Sequence, residues 1–267
     1  MQLTRVCVAG ATGWTGSQIV KAILESTEFQ LTGAIARKSA GHDVGAALGI
    51  GEAGIAISAT LEEALTQPAD VLVDYTGPGS VKHRIVESLK RGVRVVVGTS
   101  GLTASDYDDI DRVARQQNLG VIAAGNFSVT AALAKHFALF AARHVPSWEI
   151  IDYADANKID APSGTARELA EELASVAQCD LAVPIGQTHG VKEARGATIG
   201  GTQVHSLRLP GYVISFESIF GLPDERLTIR HDAGASAKPY VGGTLMAAKR
   251  VMEVTGLVRG LDRLLFG

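Results

Sequence analysis

The sequence has few aromatic residues, two cysteines and almost no excess of charge of one sign. Aromatic side chains make up 5% of its 267 residues, too few for a platform on which the bases of single-stranded nucleic acid stack. The formal net charge is −3, so general electrostatic attraction to nucleic acid or to an anionic membrane is not expected. Cys7 and Cys179 lie far apart and outside any Cys/His ligand spacing. We therefore predict no metal site.

Long apolar runs are also missing. The longest helical apolar stretch, residues 131–145, is interrupted by lysine, arginine and histidine, whereas a membrane-spanning helix needs about 20 apolar residues. The amino terminus begins with a strand pattern and lacks the charged and apolar segments of a secretory signal. These features favour a soluble cytoplasmic protein whose partner is a small molecule, with no membrane or nucleic acid involved.

Strand and helix patterns alternate through the first half of the chain. Apolar runs without polar alternation, separated by helical patterns, predict a parallel sheet that helices cover on both faces. The predicted strands cover residues 3–9, 31–36, 71–75, 93–97 and 119–123. The predicted helices cover residues 16–25, 61–67, 81–91 and 104–118. This order is typical of a Rossmann-like, doubly wound α/β domain that binds a nucleotide.

The second half has a different order, which predicts an α+β domain with a mixed sheet. Helix and strand patterns are expected at residues 129–144, 149–154, 164–177, 203–209, 212–220, 225–231 and 240–254. We predict a dinucleotide-binding domain over residues 1–125 and a substrate-binding domain over residues 126–239. The C-terminal helix, about residues 240–267, is expected to pack back on the first domain.

A glycine-rich turn joins the first predicted strand to the first predicted helix. Gly10 would form the tight turn, Gly13 would let the backbone approach a pyrophosphate, and Gly16 would let the helix pack close to the sheet. The start of the helix offers amide groups and the positive end of a dipole to phosphates. A plain glycine turn is the alternative. The predicted dinucleotide-binding residues are Gly10, Ala11, Thr12, Gly13, Trp14, Thr15 and Gly16.

The second predicted strand ends in two cations. Proteins that bind NAD usually place a carboxylate there for the ribose 2′-hydroxyl, whereas this sequence has Arg37 and Lys38. A guanidinium at this position can bind a 2′-phosphate. The pattern favours NADPH as the coenzyme, with use of NADH left open, and an ordinary solvated basic turn is the alternative.

Two further turns follow strands that end at the same edge of the predicted sheet. Ligands of such folds bind outside the carboxyl ends of the strands, so both turns are placed to hold the nicotinamide end of a coenzyme. Turns with a purely structural role are the alternative. The candidate residues are Thr76, Gly77, Gly98, Thr99 and Ser100, of which Ser100 is also a candidate for binding the substrate.

The segment KIDAPSGTA, residues 158–166, is the most informative in the second half. Pro162 and Ser163 predict the start of a helix, whose first amides and hydroxyls would bind a carboxylate together with the charge of Lys158. A helix cap alone explains Pro162 and Ser163 but not Lys158. We predict an anionic substrate, with Lys158 in the catalytic site and a binding turn formed by Ser163, Gly164 and Thr165.

These motifs together resemble the dihydrodipicolinate reductase family, and the resemblance extends over essentially the whole chain. The similar segments are residues 10–16, 98–101, 125–128, 158–166, 205–208, 230–233 and 240–248. The resemblance implies a Rossmann domain, a second domain with an open mixed sheet, and a homotetramer assembled through those sheets. It also implies NAD(P)H-dependent reduction of a cyclic, dicarboxylated imine or enamine in lysine and diaminopimelate biosynthesis. On the same basis Gly125, Asn126 and Phe127 join the coenzyme residues, and His205 joins the substrate residues.

One departure from the family pattern lies just before Lys158. Family members have two adjacent histidines there, the first of which is the proposed general acid, whereas this sequence has Ala154 and Asp155. Alanine cannot donate a proton. The candidate acids are Asp155, if burial raises its pKa, and Tyr153; water is the other source of the proton.

Three functions are compatible with these observations. The favoured one is the reductase of lysine biosynthesis after which the family is named. The alternatives are a sister reductase that acts on another imine or carbonyl acid, and a dinucleotide-binding scaffold without catalysis. The missing histidine pair supports both alternatives, whereas the intact Lys158 and DAPSGT motif argue against the scaffold.

Overall fold

The computed structural model describes residues 3–99 and 101–267. The chain forms two compact units, one from Met1–Val129 with Ala237–Gly267 and one from Thr130–Ser236. Ser100, for which we predicted two binding roles, lies outside the described residues. Within the described residues, no helix combines the length and the apolar character that crossing a membrane requires.

A seven-stranded sheet forms the centre of the first unit. Its strands are β1 (Thr4–Ala9), β2 (Phe29–Ile35), β3 (Ile57–Ser58), β4 (Val71–Asp74), β5 (Arg94–Val97), β6 (Gly120–Ala123) and β12 (Gly256–Arg259). They pair in the order β12-β6-β5-β4-β1-β2-β3, and every pair is parallel. The central strands are buried on both faces, which is why their sequences are apolar without alternation.

Helices of the first unit present apolar stripes to this sheet. Ile19 and Ile23 of the first helix and Ile85 and Leu89 of a later one are almost completely buried. The helices are α1 (Trp14–Leu24), α2 (Val44–Ala47), α3 (Leu61–Ala64), α4 (Val81–Lys90), α5 (Ala104–Gln116), α8 (Lys238–Arg250) and α9 (Leu261–Phe266).

The second unit is a mixed sheet with two helices. Its elements are α6 (Val129–Ala141), β7 (Ser147–Ala154), α7 (Gly164–Val176), β8 (Ala197–Ile199), β9 (Thr202–Arg208), β10 (Ile214–Leu222) and β11 (Glu225–Asp232). The strand order is β11-β10-β7-β9-β8, in which only the β7–β9 pair is parallel. Trp148, Ile150, Phe216 and Phe220 project from the sheet into one core with apolar residues of α6 and α7.

The structure confirms the predicted fold class, with a Rossmann-like parallel sheet and a second, mixed sheet. Sequence patterns missed the short elements β3, α2, β8 and β12. Strands of two to four residues are too short to show a period, and β12 exists because it pairs with β6, as Leu257 does with Val121. The predicted last helix ends at Arg250, and the chain then returns to the first sheet as its seventh strand.

Candidate active site

Two glycines shape the turn between β1 and α1. Gly10 has a φ of +82°, and a Cβ atom there would clash with the carbonyl oxygen of Tyr75. A Cβ atom at Gly16 would clash with the carbonyl oxygen of Gly10, so α1 packs directly against the turn. The amides of Gly10 and Ala11 donate to the carbonyl oxygen of Ile35 at 2.9 and 3.1 Å, which fixes the turn to the end of β2. This is the backbone geometry of a dinucleotide-binding loop.

The rest of the turn remains open to a ligand. Gly13 is exposed and lies directly before α1, and the α1 residues Trp14 and Thr15 follow it. The Trp14 side chain is 53% exposed, and its ring meets the ring of Tyr240 edge-on at a centroid distance of 5.8 Å. Thr12 is half-buried beside Gly13. The first amides of α1, which have no partner within an α-helix, therefore follow an exposed residue, as phosphate binding requires.

A cavity of about 760 Å³ brings three predicted parts of the coenzyme site together. This volume is within the range of small-molecule and cofactor sites. Arg37 and Lys38 follow β2 in a single helical turn and are both exposed. The guanidinium group of Arg37 and the ammonium group of Lys38 are therefore available to a ligand. The lining residues that matter here are Gly10, Gly13, Arg37, Lys38, Gly77 and Arg84. Glycine backbone beside the exposed cations Arg37 and Lys38 fits a phosphate-bearing dinucleotide.

Sequence reasoning missed one acidic residue of this cavity. Glu62 lies in the first turn of α3 and lines the cavity together with Arg37. The capping box of α3, in which Thr60 and Glu63 bond to each other's backbone amides, could have placed Glu62 at the start of a helix. Glu62 thus lines the same cavity as Arg37 and Lys38, although the sequence segment around Arg37 itself contains no carboxylate.

A buried carboxylate, also missed, connects the turns that follow β4 and β5. Asp74 is completely buried, and its Oδ1 accepts hydrogen bonds from the Thr76 amide at 3.0 Å and from the hydroxyls of Thr76 and Thr99 at 2.7 and 2.8 Å. Its Oδ2 accepts from Nε of Arg84 at 2.6 Å. Thr76 and Thr99, both predicted as coenzyme-binding residues, therefore donate their hydroxyls to Asp74.

The remaining predicted coenzyme residues have packing or turn roles. A Cβ atom at Gly98 would clash with the ring of Tyr75. Phe127 is 1% exposed, and its ring lies edge-on to that of Tyr75 at a centroid distance of 6.1 Å. Asn126 Oδ1 accepts from the amide of Ser128 at 2.8 Å, and Gly125 beside it is exposed. The buried Phe127 side chain has no surface to offer a ligand.

In the second unit, Asp152 anchors the start of α7. Its carboxylate accepts from the amide and the hydroxyl of Ser163 at 2.9 and 2.6 Å, and from Ser206 Oγ at 3.3 Å. Arg208 Nη2 donates to it at 2.8 Å. Ser163 Oγ also accepts from the amide of Ala166 as the N-cap of α7. Both polar groups of Ser163 are thus used internally, and Gly164 and Thr165 provide the next amides at this helix end.

The segment between Asp155 and Asp160 presents the predicted lysine. Lys158 Nζ lies 2.7 Å from Asp160 Oδ1, and the lysine side chain is 27% exposed. Burial raises the pKa of Asp160, but the hydrogen bond and charge of Lys158 outweigh it and leave this pKa below its usual value. Arg208 donates to the Asp160 carbonyl oxygen at 2.6 Å. Asp155 accepts from the amide and Nδ2 of Asn157, both at 2.9 Å, so its carboxylate closes a turn.

The structure does not bring Tyr153 to this loop. Neighbouring residues of a strand point to opposite faces of the sheet, and Asp152 points toward Ser163. The Tyr153 hydroxyl donates to Glu217 Oε2 at 3.2 Å on the other face. Burial, reinforced by the negative charge of Glu217, raises the pKa of Tyr153. Tyr153 is therefore poorly placed to protonate a ligand held at α7.

His205 also lies on that other face. It neighbours Ser206, whose hydroxyl reaches Asp152, and alternation turns the imidazole away from α7. His205 Nε2 lies 2.7 Å from Glu149 Oε2, and Arg195 Nη2 lies 2.5 Å from Glu149 Oε1. The structure thus separates His205 from Lys158, with which we grouped it. Among the described residues, no set of three or more His, Cys, Asp or Glu side chains is arranged to hold a metal ion.

Comparison with known proteins identifies the family. The family model described as "Dihydrodipicolinate reductase, N-terminus" matches residues 4–127, and the corresponding C-terminal model matches residues 127–265. A 4-hydroxy-tetrahydrodipicolinate reductase of Desulfitobacterium hafniense is 37% identical, with 99% of this chain and 100% of the relative covered. One of Moorella thermoacetica is also 37% identical, with 98% and 97% covered.

Solved structures agree. A dipicolinate-bound dihydrodipicolinate reductase from Paenisporosarcina sp. TG-14 superposes with a TM-score of 0.83 at 30% identity, over 98% of this chain and all of that one. An amine dehydrogenase from Mycobacterium smegmatis, at 16% identity and a TM-score of 0.68, shares the fold. The chain belongs to the dihydrodipicolinate reductase family and is an oxidoreductase that uses a nicotinamide dinucleotide.

Proposed function

We propose that this chain is a 4-hydroxy-tetrahydrodipicolinate reductase that reduces a cyclic, dicarboxylated substrate with NADPH. The similarity to relatives of that name over nearly the whole chain supports the reaction. The observation that carries the site is the anchoring of the Lys158–Thr165 segment by Asp152, which leaves Lys158, paired with Asp160, and the first turn of α7 outside the Asp152 network. A substrate carboxylate would replace Asp160 as the partner of Lys158.

The first unit binds the coenzyme in this proposal, and the second unit binds the substrate. A nicotinamide dinucleotide supplies a hydride when bound. Gly10 and Gly13 hold the pyrophosphate, while Arg37 and Lys38 bind the 2′-phosphate of NADPH. Arg37 and Lys38 outnumber the single carboxylate of Glu62 in the described lining of the cavity, which favours NADPH over NADH. In this proposal the coenzyme-binding domain spans residues 1–125 and the substrate-binding domain spans residues 126–239.

The proton that completes the reduction comes from water. Asp155 holds the turn of Asn157, and Tyr153 donates to Glu217 on the other face of β7. Ala154 occupies the position at which the family pattern has a histidine, and it is completely buried at the end of β7. Lys158 keeps the substrate carboxylate in place and offsets its charge while the ring nitrogen gains a proton.

A sister reductase with another imine or carbonyl acid as substrate is the second candidate. Ala154 and Asp155 in place of the histidine pair favour it, because a pocket without imidazoles differs in shape and charge. The discriminating experiment is NADPH oxidation with enzymatically generated 4-hydroxy-tetrahydrodipicolinate, run beside a panel of cyclic imines and with Lys158→Met as the control. Turnover on the first substrate that depends on Lys158 supports the lysine-pathway reaction; turnover confined to a panel member overturns it.

The family resemblance also supports a homotetramer. One face of the second sheet carries α6 and α7, and the strand β11 at its edge is largely exposed, with Leu227 at 47% exposure. We assign tetramer contacts to the uncovered face. Light scattering at several protein concentrations tests this assignment, and a monomer at all of them would contradict it.

A further inference from the structure

A buried charge pair lies behind the turns that follow β4 and β5. The Asp74 side chain has no exposed surface, the Arg84 side chain is 14% exposed, and the two groups are joined at 2.6 Å. Arg84 Nη1 donates to Ser80 Oγ at 2.5 Å, and Nη2 donates to Thr76 Oγ1. One guanidinium therefore holds both ends of the Thr76–Ser80 turn.

A second charge pair on the same strand provides a comparison. Arg5 Nη2 lies 2.6 Å from Oδ1 of Asp70, the residue directly before β4. Asp70 also accepts from the Arg5 amide at 2.8 Å, so this pair fastens β1 to β4 at the amino end of the strand. The described lining of the cavity contains Arg84 but neither Arg5 nor Asp70. The two pairs share their chemistry and their N–O distance, and they hold opposite ends of β4.

Stability alone does not explain the Asp74–Arg84 pair. Removing two charges from water costs about as much as their attraction returns, so a buried ion pair contributes little net stability. What it does provide is geometry, because a planar guanidinium donates in fixed directions that an ammonium group cannot reproduce. Here those directions end on Asp74, Thr76 and Ser80.

We propose that Asp74 and Arg84 are positioning residues of the coenzyme site. The inference rests on the proposed binding of a nicotinamide dinucleotide by the first unit. Asp74 fixes the turn after β4 to the turn after β5 through Thr76 and Thr99. Arg84 compensates the buried carboxylate and sets the path of the turn along the cavity. Turns that are already ordered lose less conformational entropy when the dinucleotide binds.

Titration of full-length variants with NADPH and with NADH tests this proposal. Arg84→Met and Asp74→Asn should each raise both dissociation constants about tenfold or more, because misplaced binding groups lose affinity steeply. Both coenzymes should be affected equally, since neither residue is assigned to the 2′-phosphate. Asp70→Asn, the matched control, should change either constant by less than about twofold.

Further readouts separate positioning from folding. Arg84→Lys keeps the charge but not the directed donors, so it should fold and still bind NADPH about three- to tenfold more weakly. In Arg84→Lys the KM for NADPH should rise. Its kcat at saturating NADPH and its KM for the substrate should stay within about twofold of the wild-type values. The double variant Asp74→Asn/Arg84→Met should bind NADPH no more weakly than the weaker-binding of the two single variants, because the pair acts as a unit.

Two results would overturn the proposal. One is binding of both coenzymes at the wild-type level by Arg84→Met and Asp74→Asn. The other is an equal loss in Asp70→Asn, because weakened binding would then follow any destabilised β4. Failure of the proposed function is a separate outcome, in which the wild-type protein itself binds neither NADPH nor NADH.

Discussion

Asp74 in the first unit and Asp152 in the second are two versions of one arrangement. Both side chains are completely buried, and both carboxylates gather hydroxyl and amide donors from segments that we predicted to bind ligands. Each also pairs with an arginine, Asp74 with Arg84 at 2.6 Å and Asp152 with Arg208 at 2.8 Å. Buried charges of this kind must be paired and hydrogen-bonded, and that requirement orders the loops around them.

The hydrogen-bond donors around Asp74 and Asp152 come from different elements, and this difference decides which groups of each region remain to contact a ligand. Around Asp74 they come from turns that follow parallel strands, so glycine backbone remains to contact a ligand. Around Asp152 they come from the start of α7 and from β9, so Lys158 and the next helix amides remain. In both regions a residue predicted to bind a ligand, Thr99 or Ser163, uses its hydroxyl in the internal network.

Removing the charge of Asp152 should give the largest effect. Asp152→Asn removes the carboxylate charge that Arg208 contacts at 2.8 Å, and breaking one side of a buried pair costs about 3–5 kcal/mol of unfolding free energy. Urea denaturation, followed by the fluorescence of the buried Trp148, measures it. Asp155→Asn in the neighbouring turn is the control and should cost less than about 1 kcal/mol. Equal losses would show that Asp152 is not the organising group of the second region.

Lys158→Met tests whether Lys158, which lies outside the Asp152 network, binds a carboxylate of the substrate. The loss of one charge-assisted hydrogen bond to a carboxylate, worth about 1.5–3 kcal/mol, should lower kcat/KM for the substrate about 10- to 100-fold. NADPH affinity should not change, because the coenzyme residues belong to the other unit. Lys192→Met, in an exposed segment of the same unit, should leave kcat/KM unchanged. Wild-type kcat/KM in the Lys158 variant would refute the carboxylate role.

Arg37→Ala tests the corresponding cation of the first region. NADPH should bind more weakly by about 1.5–3 kcal/mol, whereas the affinity for NADH should hardly change. Fluorescence titration with each coenzyme measures this difference, and Arg91→Ala at the exposed end of α4 is the control. If NADPH and NADH lose affinity equally, Arg37 does not bind the 2′-phosphate.

Glu62→Gln should have a smaller effect of opposite sign. Removing the cavity's carboxylate relieves repulsion of the 2′-phosphate, so NADPH should bind more tightly by about 0.2–1 kcal/mol, the range of exposed charge interactions. Glu52→Gln, which changes the net charge equally at an exposed loop, is the control. An unchanged ratio of NADPH to NADH affinity would place Glu62 outside the influence of the phosphate.

Removing the Arg5–Asp70 pair should have the smallest effect of these changes, a change in the stability of the fold at acid pH. The hydrogen bond from Arg5 holds the pKa of Asp70 below its usual value, although burial opposes this. Because the folded-state pKa is below the unfolded value of about 3.9, the pair stabilises the fold above about pH 4, and the contribution is lost as the pH falls through the folded-state pKa. Asp70→Asn should flatten the acid limb of a plot of urea midpoint against pH. An unchanged acid limb would contradict this.

Much of the first unit was predictable because its signals are local. Fully buried parallel strands are apolar along their whole length, and Gly10 must be glycine because its φ is positive and a Cβ atom would clash. The KIDAPSGTA segment likewise identified the start of α7 at Ser163. Tyr153 and His205 were grouped with Lys158 by proximity or family pattern, yet strand alternation places both on the other face of the sheet.

The sequence by itself determined the fold class, the glycine turn, the cations after β2 and the lysine beside α7, because each depends on residue type within a few positions. Only the tertiary structure decided which polar groups face a ligand. Asp74 meets Thr99, and Asp152 meets Arg208, across separate strands. A buried carboxylate takes whatever donors folding brings within hydrogen-bond distance, and no local pattern specifies these partners.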